Sequence, residues 1–159
     1  MAGRWTDATK TTARRALIGL AVTVTGLLFG AASAAAQPRL VTYRLGTHRG
    51  YDRVVWQFAR GLPGMKARYV RQVTADGSGL PVRLEGRAFL QVTLTGVKWD
   101  GSAVPPEPTL TPQFPALRQL KPAGVFEGYF TFGLGLSHRV RHRLYTLRRP
   151  DRVVLDLTH

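Results

Sequence analysis

The sequence predicts an all-β fold, a single β-sandwich-like domain of about eight strands with one short helical turn, preceded by a signal peptide. Apolar and polar residues alternate in segments that recur about every ten residues, with Gly, Pro or Asp between them, as in sandwiches and barrels. In addition, the segment YDRVVWQF at 51–58 returns near the end of the chain as PDRVVLDL at 150–157. This repeat indicates a duplicated unit of a turn followed by a strand.

The repeated segment also predicts which residues form the core. Side chains on a strand point alternately to its two faces, so every second residue of each copy shares a face. The apolar residues that share a face are Val54, Trp56 and Phe58 in the first copy and Val153, Leu155 and Leu157 in the second. We therefore expect Trp56 and Leu155 to point into one core.

The other strands follow from the same alternation. In chain order, strands are predicted at 40–45, 51–59, 65–73, 82–85, 88–95, 125–132, 143–147 and 152–158. The first five are expected to form a meander. In the sixth strand, Phe126, Phe130 and Phe132 are expected to share a face, and the sequence GLGL at 133–136 is expected to bend or bulge the chain.

Prolines interrupt this pattern between residues 97 and 124, because proline lacks the N–H group that a central strand requires. They are Pro105, Pro106, Pro108, Pro112, Pro115 and Pro122. We expect this segment to be the longest loop. Within it, residues 115–120 are predicted to form one short helical turn, since proline suits the first helical position.

Residues 1–36 have the three parts of an export signal. The basic residues Arg4, Lys10, Arg14 and Arg15 are followed by an apolar stretch at 17–29 and by small residues at 31–36. A spanning helix needs roughly 20 apolar residues, so a cleaved signal is favoured over an uncleaved membrane anchor. We expect cleavage between Ala34 and Gln37, by either the Sec or the twin-arginine route. The domain at 37–159 is then extracellular or cell-wall associated.

The charge of the domain favours anionic partners. Residues 37–159 keep 19 of the 23 Lys and Arg residues and 8 of the 9 Asp and Glu residues, a net charge of +11. Such a charge raises the local concentration of anionic wall polymers or headgroups. Nucleic acid is not expected as a partner, because export separates the chain from it, and a membrane is expected only through an uncleaved signal. The chain has no cysteine, which excludes disulfides and thiolate metal sites.

No catalytic, cofactor or metal site is predicted. His138 and His142 have a metal-ligand spacing, but arginines alternate with them and no acid is adjacent, so a solvated basic edge is favoured. The sequence DGSG at 76–79 lacks the later carboxylates of a calcium loop. The serines at 78 and 137 lack the strand-to-helix elbow of a hydrolase. We therefore do not expect an enzyme.

The densest basic stretch gives the candidate ligand site. Arginine can grip phosphate or carboxylate groups, and an aromatic ring can pack on a sugar. The candidate ligand-binding residues are Arg139, Arg141, Arg143, Tyr145, Trp99 and Tyr129. The alternative is that this stretch is an edge strand kept soluble by its charge.

Several motifs occur together in a fixed order: YDRVV at 51–55, VTADGSG at 73–79, FEG at 126–128, GLGL at 133–136 and PDRVVLD at 150–156. In this combination the chain resembles the AMIN-like domain of secreted proteins from high-GC Gram-positive bacteria. That family is named for its similarity to the AMIN domain, a non-catalytic β-sandwich that targets proteins to the cell envelope by binding peptidoglycan. The resemblance implies association with the envelope without catalysis.

Together these observations predict a secreted, non-catalytic domain that binds peptidoglycan or an attached anionic wall polymer. The alternative is an accessory or inhibitory subunit that docks an extracytoplasmic protein through an exposed sheet edge.

Overall fold

The structure is a computed structural model that describes residues 37–98 and 109–159. This part of the chain contains ten β-strands. They are β1 (Arg39–His48), β2 (Tyr51–Ala59), β3 (Gly64–Val70), β4 (Val73–Thr74), β5 (Pro81–Val82), β6 (Ala88–Thr95), β7 (Leu117–Phe126), β8 (Tyr129–Leu136), β9 (His142–Leu147) and β10 (Asp151–Thr158). The all-β prediction is confirmed. The predicted signal peptide at 1–36 and Trp99 lie outside the described residues.

Eight of the strands form two antiparallel four-stranded sheets, as expected for a sandwich. The first sheet has the order β1, β2, β10, β9, and the second has the order β3, β6, β8, β7, while β4 and β5 pair with each other. The predicted meander is wrong, because the chain changes sheet between β2 and β3 and again between β8 and β9. Within the described ranges, no helix is long and apolar enough to span a membrane.

The two copies of the repeat lie side by side in the middle of the first sheet. Strands β2 and β10 pair antiparallel, with Trp56 opposite Val153 and Val54 opposite Leu155. All six predicted core residues of the repeat are at most 3% exposed, which confirms the predicted phase. Trp56 contacts Phe132 of the second sheet, with ring centres 5.3 Å apart. The repeat therefore forms one wall of the core between the sheets.

Strand β7 stands where a helical turn was predicted at 115–120, so that prediction is wrong. This strand lies at the edge of the second sheet, and its pairing with β8 shifts between Leu117 and Gln119 and again between Pro122 and Gly124. Proline is tolerated in edge strands and at bulges, where its missing N–H costs no ladder hydrogen bond.

A hairpin turn divides the predicted strand at 125–132, in which three phenylalanines were expected to share a face. Glu127 and Gly128 have φ values of 47° and 79°, and the chain reverses there between β7 and β8. Phe126 consequently lies on β7 and is 50% exposed, whereas Phe130 and Phe132 are buried on β8. The predicted common face is correct only for the last two.

Residues 73–86, which we name the strap, pack against the side of the second sheet that points away from the core. The segment GLGL was predicted to bend the chain, but it continues β8 as a paired strand. Its glycines leave room for the strap, because a Cβ at Gly135 would collide with the backbone of Glu85 and a Cβ at Gly133 would crowd Leu84. The strap therefore covers part of this face.

Asp52 is the second residue of β2 and is wholly buried. Its carboxylate accepts hydrogen bonds from the backbone N–H groups of Ala116 (2.7 Å) and Leu117 (2.9 Å). It also accepts one from the hydroxyl of Thr47 (2.7 Å), and the Nε2 atom of His159 lies 3.4 Å away. Asp52 thus ties the start of β7, in the second sheet, to the first sheet.

Candidate functional site

The first sheet carries a row of basic and aromatic side chains on the face that points away from the core, which we call the outer face. Alternate residues of β2 and β10 point into the core, so the residues between them point outward, and of these Val154 is buried as well. The register of the four strands then places these outward residues on one surface: Thr42, Arg44 and His48 of β1; Tyr51, Arg53, Val55 and Gln57 of β2; Arg152, Val154 and Asp156 of β10; and Arg143, Tyr145 and Leu147 of β9.

An ion pair lies at the middle of the outer face. The guanidinium of Arg53 donates from Nε to Oδ1 of Asp156 (2.7 Å) and from Nη2 to Oδ2 (2.8 Å). The hydroxyl of Tyr145 accepts from the same Nη2 (2.9 Å) and donates to Oδ2 of Asp156 (3.2 Å). Bidentate pairs of this kind fix both partners in orientation. The network therefore ties Tyr145 of the edge strand β9 to the two central strands.

The electrostatics of the network follow from its geometry. The hydrogen bonds and charge of Arg53 hold the pKa of Asp156 below its ordinary value of 3.8. Burial, together with the negative charge of Asp156, raises the pKa of the Tyr145 hydroxyl. Both groups therefore keep one protonation state at neutral pH, with Asp156 ionised and Tyr145 protonated.

The ion pair predicts how stability depends on pH. A carboxyl whose pKa is lowered by folding contributes stability above its unfolded pKa and loses it as pH falls through the folded pKa. We expect Asp156→Asn to lower the free energy of unfolding by about 1 to 2 kcal/mol at pH 7, since the pair is bidentate but partly exposed. The difference should be constant from pH 6 to 8, shrink below about pH 4, and be measured by urea unfolding. A difference that persisted undiminished at pH 2 would contradict this role for the Asp156 charge.

The repeat explains why only one such ion pair forms. In the alignment of the two copies, Arg53 corresponds to Arg152 and Gln57 corresponds to Asp156. Across the β2–β10 ladder, Arg53 lies opposite Asp156, whereas Arg152 lies opposite Gln57. The second arginine therefore faces an amide instead of a carboxylate. It lines a shallow groove of about 300 Å³ together with Thr42, Arg44, Val55, Gln57 and Pro150, a set without an acidic residue.

Aromatic rings accompany these arginines. The ring of Tyr51 stacks on His48 with centres 4.7 Å apart, and the Arg53 guanidinium lies 4.8 Å from its centre. The guanidinium of Arg143 lies 5.0 Å from the ring centre of Tyr145. Contacts of this kind hold cationic and aromatic groups together at an exposed surface.

The structure places the predicted ligand-binding residues in several regions. Arg143 and Tyr145 are neighbours on the outer face. Arg139 and Arg141 precede β9, and the guanidinium of Arg139 lies 4.4 Å from the ring centre of Tyr69 in β3. The binding role of these residues stays a prediction.

Tyr129 is remote from this group along the second sheet. Tyr129 is the first residue of β8, and Arg139 follows the last residue of that strand, Leu136. The strand is about 23 Å long from Tyr129 to Leu136. Trp99 is outside the described residues. Of the five predicted residues that the structure describes, Arg143 and Tyr145 lie together on the outer face.

The predicted ligand-binding residues did not include several basic and aromatic residues of the outer face, among them Arg44, Tyr51, Arg53 and Arg152. Two of them could have been found, because the phase that buries Trp56 and Leu155 necessarily turns Arg53 and Arg152 outward. The pairing of β2 with β10, which places Arg53 opposite Asp156, has no local signal in either segment.

The two histidines considered as metal ligands have other contacts. The Nδ1 atom of His138 lies 3.0 Å from the hydroxyl of Ser137. The ring of His142 packs edge-on against Tyr69, and burial together with the charge of Arg139 lowers its pKa. In the described ranges, no three His, Cys, Asp or Glu side chains are grouped so that they could hold a metal ion.

A family model for the AMIN-like domain matches residues 38–159, which is most of the chain and the whole of the sandwich. The chain belongs to the AMIN-like domain family. A comparison with curated proteins finds no match. Membership of the AMIN-like family associates this domain with the cell envelope in a general way, as the ordered motifs implied.

The family motifs acquire physical roles in this fold. In YDRVV at 51–55, the aspartate anchors β7, the arginine forms the ion pair, and Val54 enters the core. In PDRVVLD at 150–156, the final aspartate is the partner of Arg53. The motifs of this AMIN-like domain therefore build both the sandwich and its outer face.

Proposed function

We propose that this AMIN-like domain is a secreted, non-catalytic module that binds the cell wall through the outer face of its first sheet, recognising peptidoglycan or an attached anionic polymer. The observation that carries the proposal is the Arg53–Asp156–Tyr145 network, which holds an aromatic ring beside exposed arginines. Four arginines and one aspartate lie on this face, so it has a net charge of +3.

This surface suits the chemistry of wall polymers. Sugar rings have apolar faces that pack on aromatic side chains, and the partly exposed rings of Tyr51 and Tyr145 lie at two places on the sheet. Carboxylates of peptide stems and phosphates of attached polymers are bound by the planar fork of arginine. Arg44 and Arg143 are exposed, and Arg152 is partly exposed, so all three can reach such groups.

A binding role without catalysis is supported by the state of two acidic residues, Asp52 and Asp156. Asp52 is wholly buried and uses its oxygens to anchor β7, which keeps it from any substrate. Asp156 is ionised and engaged with Arg53 and Tyr145, so it is not a proton donor at neutral pH. General acid–base chemistry requires a group that both reaches the substrate and exchanges a proton near the working pH.

The proposed function predicts the effect of neutralising the outer face. The triple variant Arg44→Gln, Arg143→Gln and Arg152→Gln should weaken retention on purified sacculi at least about tenfold, a loss of roughly 1.4 kcal/mol of binding free energy. Its free energy of unfolding should change by no more than about 1 kcal/mol, because exposed charges contribute little to folding. Co-sedimentation with sacculi and urea unfolding measure the two quantities.

A matched control removes the same charge elsewhere. Lys66 and Arg68 lie on β3 of the second sheet, and Arg83 lies on the strap, all three exposed. Replacing these three by Gln should leave retention within about twofold of the unchanged domain, since the contact is local and distant surface charges are screened beyond roughly 8 Å. Equal losses in both variants would mean that net charge alone causes retention, and the assignment to the outer face would be wrong.

A second candidate function is docking of an extracytoplasmic protein, and the position of β9 favours it. This strand is an edge of the first sheet, so one side of its backbone is not paired within that sheet. An extended segment of a partner could add to it as a further strand. Retention on sacculi that required a protein component, and vanished on protein-free sacculi, would support docking over direct wall binding.

A further inference from the structure

We propose that a basic cleft at one end of the sandwich is a second binding site, which takes a linear polymer carrying repeated phosphate groups. The inference deepens the proposed function and rests on it only for placing the domain at the wall. The cleft lies apart from the outer face of the first sheet and is argued from its own residues.

Two adjoining grooves make up the cleft. The larger, of about 710 Å³, is lined by Glu85, Gly86, Arg87, Gln113, Arg118, Ser137 and His138. The second, of about 560 Å³, is lined in part by Tyr69, Arg71, Arg87, His138 and Arg139. Because Arg87 and His138 line both grooves, the two grooves adjoin at these residues.

The charge of the cleft selects the class of ligand. Four arginines line it against one acid, so its net charge is +3 with His138 neutral. The acid, Glu85, accepts a hydrogen bond from the Nε2 atom of Gln113 (3.1 Å). Arginine forks match the oxygens of phosphate in pairs, so four of them exceed what a single phosphate can use.

The second groove is held in shape by Tyr69. Its hydroxyl donates to the carbonyl of Val140 (2.7 Å) and accepts from the Val140 N–H (2.9 Å), which ties β3 to the segment before β9. The guanidinium of Arg139 lies over the same ring. This arginine is therefore positioned toward the cleft by a contact made before any ligand binds.

Arg87 is positioned by the close approach of the strap to β8. Gly86 has a φ of 118°, and a Cβ at this position would collide with the backbone of Leu136. The N–H of Arg87 donates to the Leu136 carbonyl (2.7 Å). Only glycine allows this approach without strain, so the backbone that presents Arg87 is fixed at the end of β8.

His138 is oriented by a hydrogen bond to its neighbour Ser137. The hydroxyl of Ser137 lies 2.8 Å from the carbonyl of Pro115 and donates its proton there. Ser137 must then accept from Nδ1–H of His138, which lies 3.0 Å away. The histidine thus enters the cleft with a defined ring orientation between the two grooves.

The shape of the cleft favours a chain over a small anion. Several cationic groups that line two adjoining grooves can bind successive groups of one polymer, and each later contact forms at high effective concentration. A single phosphate would gain only one or two of these contacts. We therefore expect affinity to increase strongly with the number of linked phosphates.

The test uses inorganic polyphosphate as the probe and orthophosphate as the single-group comparison. The variant Arg87→Gln, Arg118→Gln and Arg139→Gln should lower polyphosphate affinity at least tenfold in calorimetry and reduce the dependence of log K on log salt by about two to three, one for each lost contact. The variant with Lys66, Arg68 and Arg83 replaced by Gln removes the same charge outside the cleft and the outer face, so it serves as the charge-matched control and should bind polyphosphate almost unchanged.

Three results would overturn the inference: equal losses in the two triple variants, equal affinity for orthophosphate and polyphosphate, or tighter binding to vesicles of anionic phospholipid than to polyphosphate. Urea unfolding of the cleft variant checks its fold, and Arg87→Gln alone, at an exposed residue, gives a second variant that should lose at least threefold in affinity. No loss in this single variant would also count against the cleft.

The outer-face variant, with Arg44, Arg143 and Arg152 replaced by Gln, separates this inference from the proposed function. On sacculi stripped of phosphate polymers, the cleft variant should be retained like the unchanged domain, and the outer-face variant should not. If stripped sacculi failed to retain the unchanged domain while polyphosphate binding still required the cleft arginines, binding of peptidoglycan by the outer face would fail and the cleft would stand. The reverse pattern would remove the cleft alone.

Discussion

Replacing Asp52 by Ala is expected to lower the free energy of unfolding by about 3 to 5 kcal/mol, as for other losses of a buried, hydrogen-bonded carboxylate. The side chain is wholly buried and accepts from two backbone N–H groups and one hydroxyl. Its removal leaves the N–H groups of Ala116 and Leu117 without their acceptor, and each unsatisfied buried donor costs about 1 to 3 kcal/mol. The start of β7 would lose its connection to the first sheet.

The repeat supplies a control for this substitution. Asp151 occupies the equivalent position in the second copy, but its carboxylate lies 4.0 Å from the exposed Arg148. Asp151→Ala should therefore cost less than about 1 kcal/mol, the range of exposed ion pairs. Urea unfolding of both variants gives the comparison. Similar costs for the two aspartates would show that the hydrogen bonds of Asp52 do not stabilise the sandwich as inferred.

Truncation of the core at Trp56 and Leu155 should have effects of the same size. Trp56→Ala should cost about 3 to 5 kcal/mol and Leu155→Ala about 2 to 5 kcal/mol, because both side chains are fully buried and leave cavities. A domain of this type has a total stability of about 5 to 15 kcal/mol, so either variant could be largely unfolded under mild denaturing conditions.

The indole of Trp56 allows a finer test. Its Nε1 atom is buried and has no hydrogen-bond partner among the described residues. Trp56→Phe removes this unsatisfied donor along with part of the ring, so it should cost no more than about half as much as the change to Ala. Val41→Ala, at a residue that is 42% exposed, is the control and should lie within about 0.5 kcal/mol of the unchanged domain. If urea midpoints barely moved for both core variants, the strand phase would be wrong.

Much of the fold could be predicted because strands leave a local signal. Alternation alone identified the faces of β2 and β10, since one residue in two must enter the core. It failed at β7, where Pro122 and two bulges break the alternation of an edge strand, and at Phe126, where a turn without proline or asparagine reverses the chain. A strand can pair with its neighbour in the sheet despite such local irregularity, and the sequence of one strand does not reveal which other strand it pairs with.

The candidate site was less predictable. Density of arginine in the sequence pointed to Arg139, Arg141 and Arg143 as one group, yet the structure divides them. Arg143 lies on the outer face with Tyr145, whereas Arg139 lies over Tyr69 beside the cleft. A spacing of two would place these arginines on one face of a continuous strand, but β9 begins only at His142, so Arg139 and Arg141 precede it and that rule does not apply to them.

The sequence by itself determined the all-β class, the phase of the two repeated strands and the excess of positive charge, because each depends on residue type and on the period of two along a strand. Only the tertiary structure decided that the repeats pair with each other, that Arg53 meets Asp156 while Arg152 meets Gln57, and that Asp52 holds the start of β7. It also decided which arginines share the cleft. These contacts join residues far apart in the chain, and their energies depend on register and burial, which exist only once both sheets have packed.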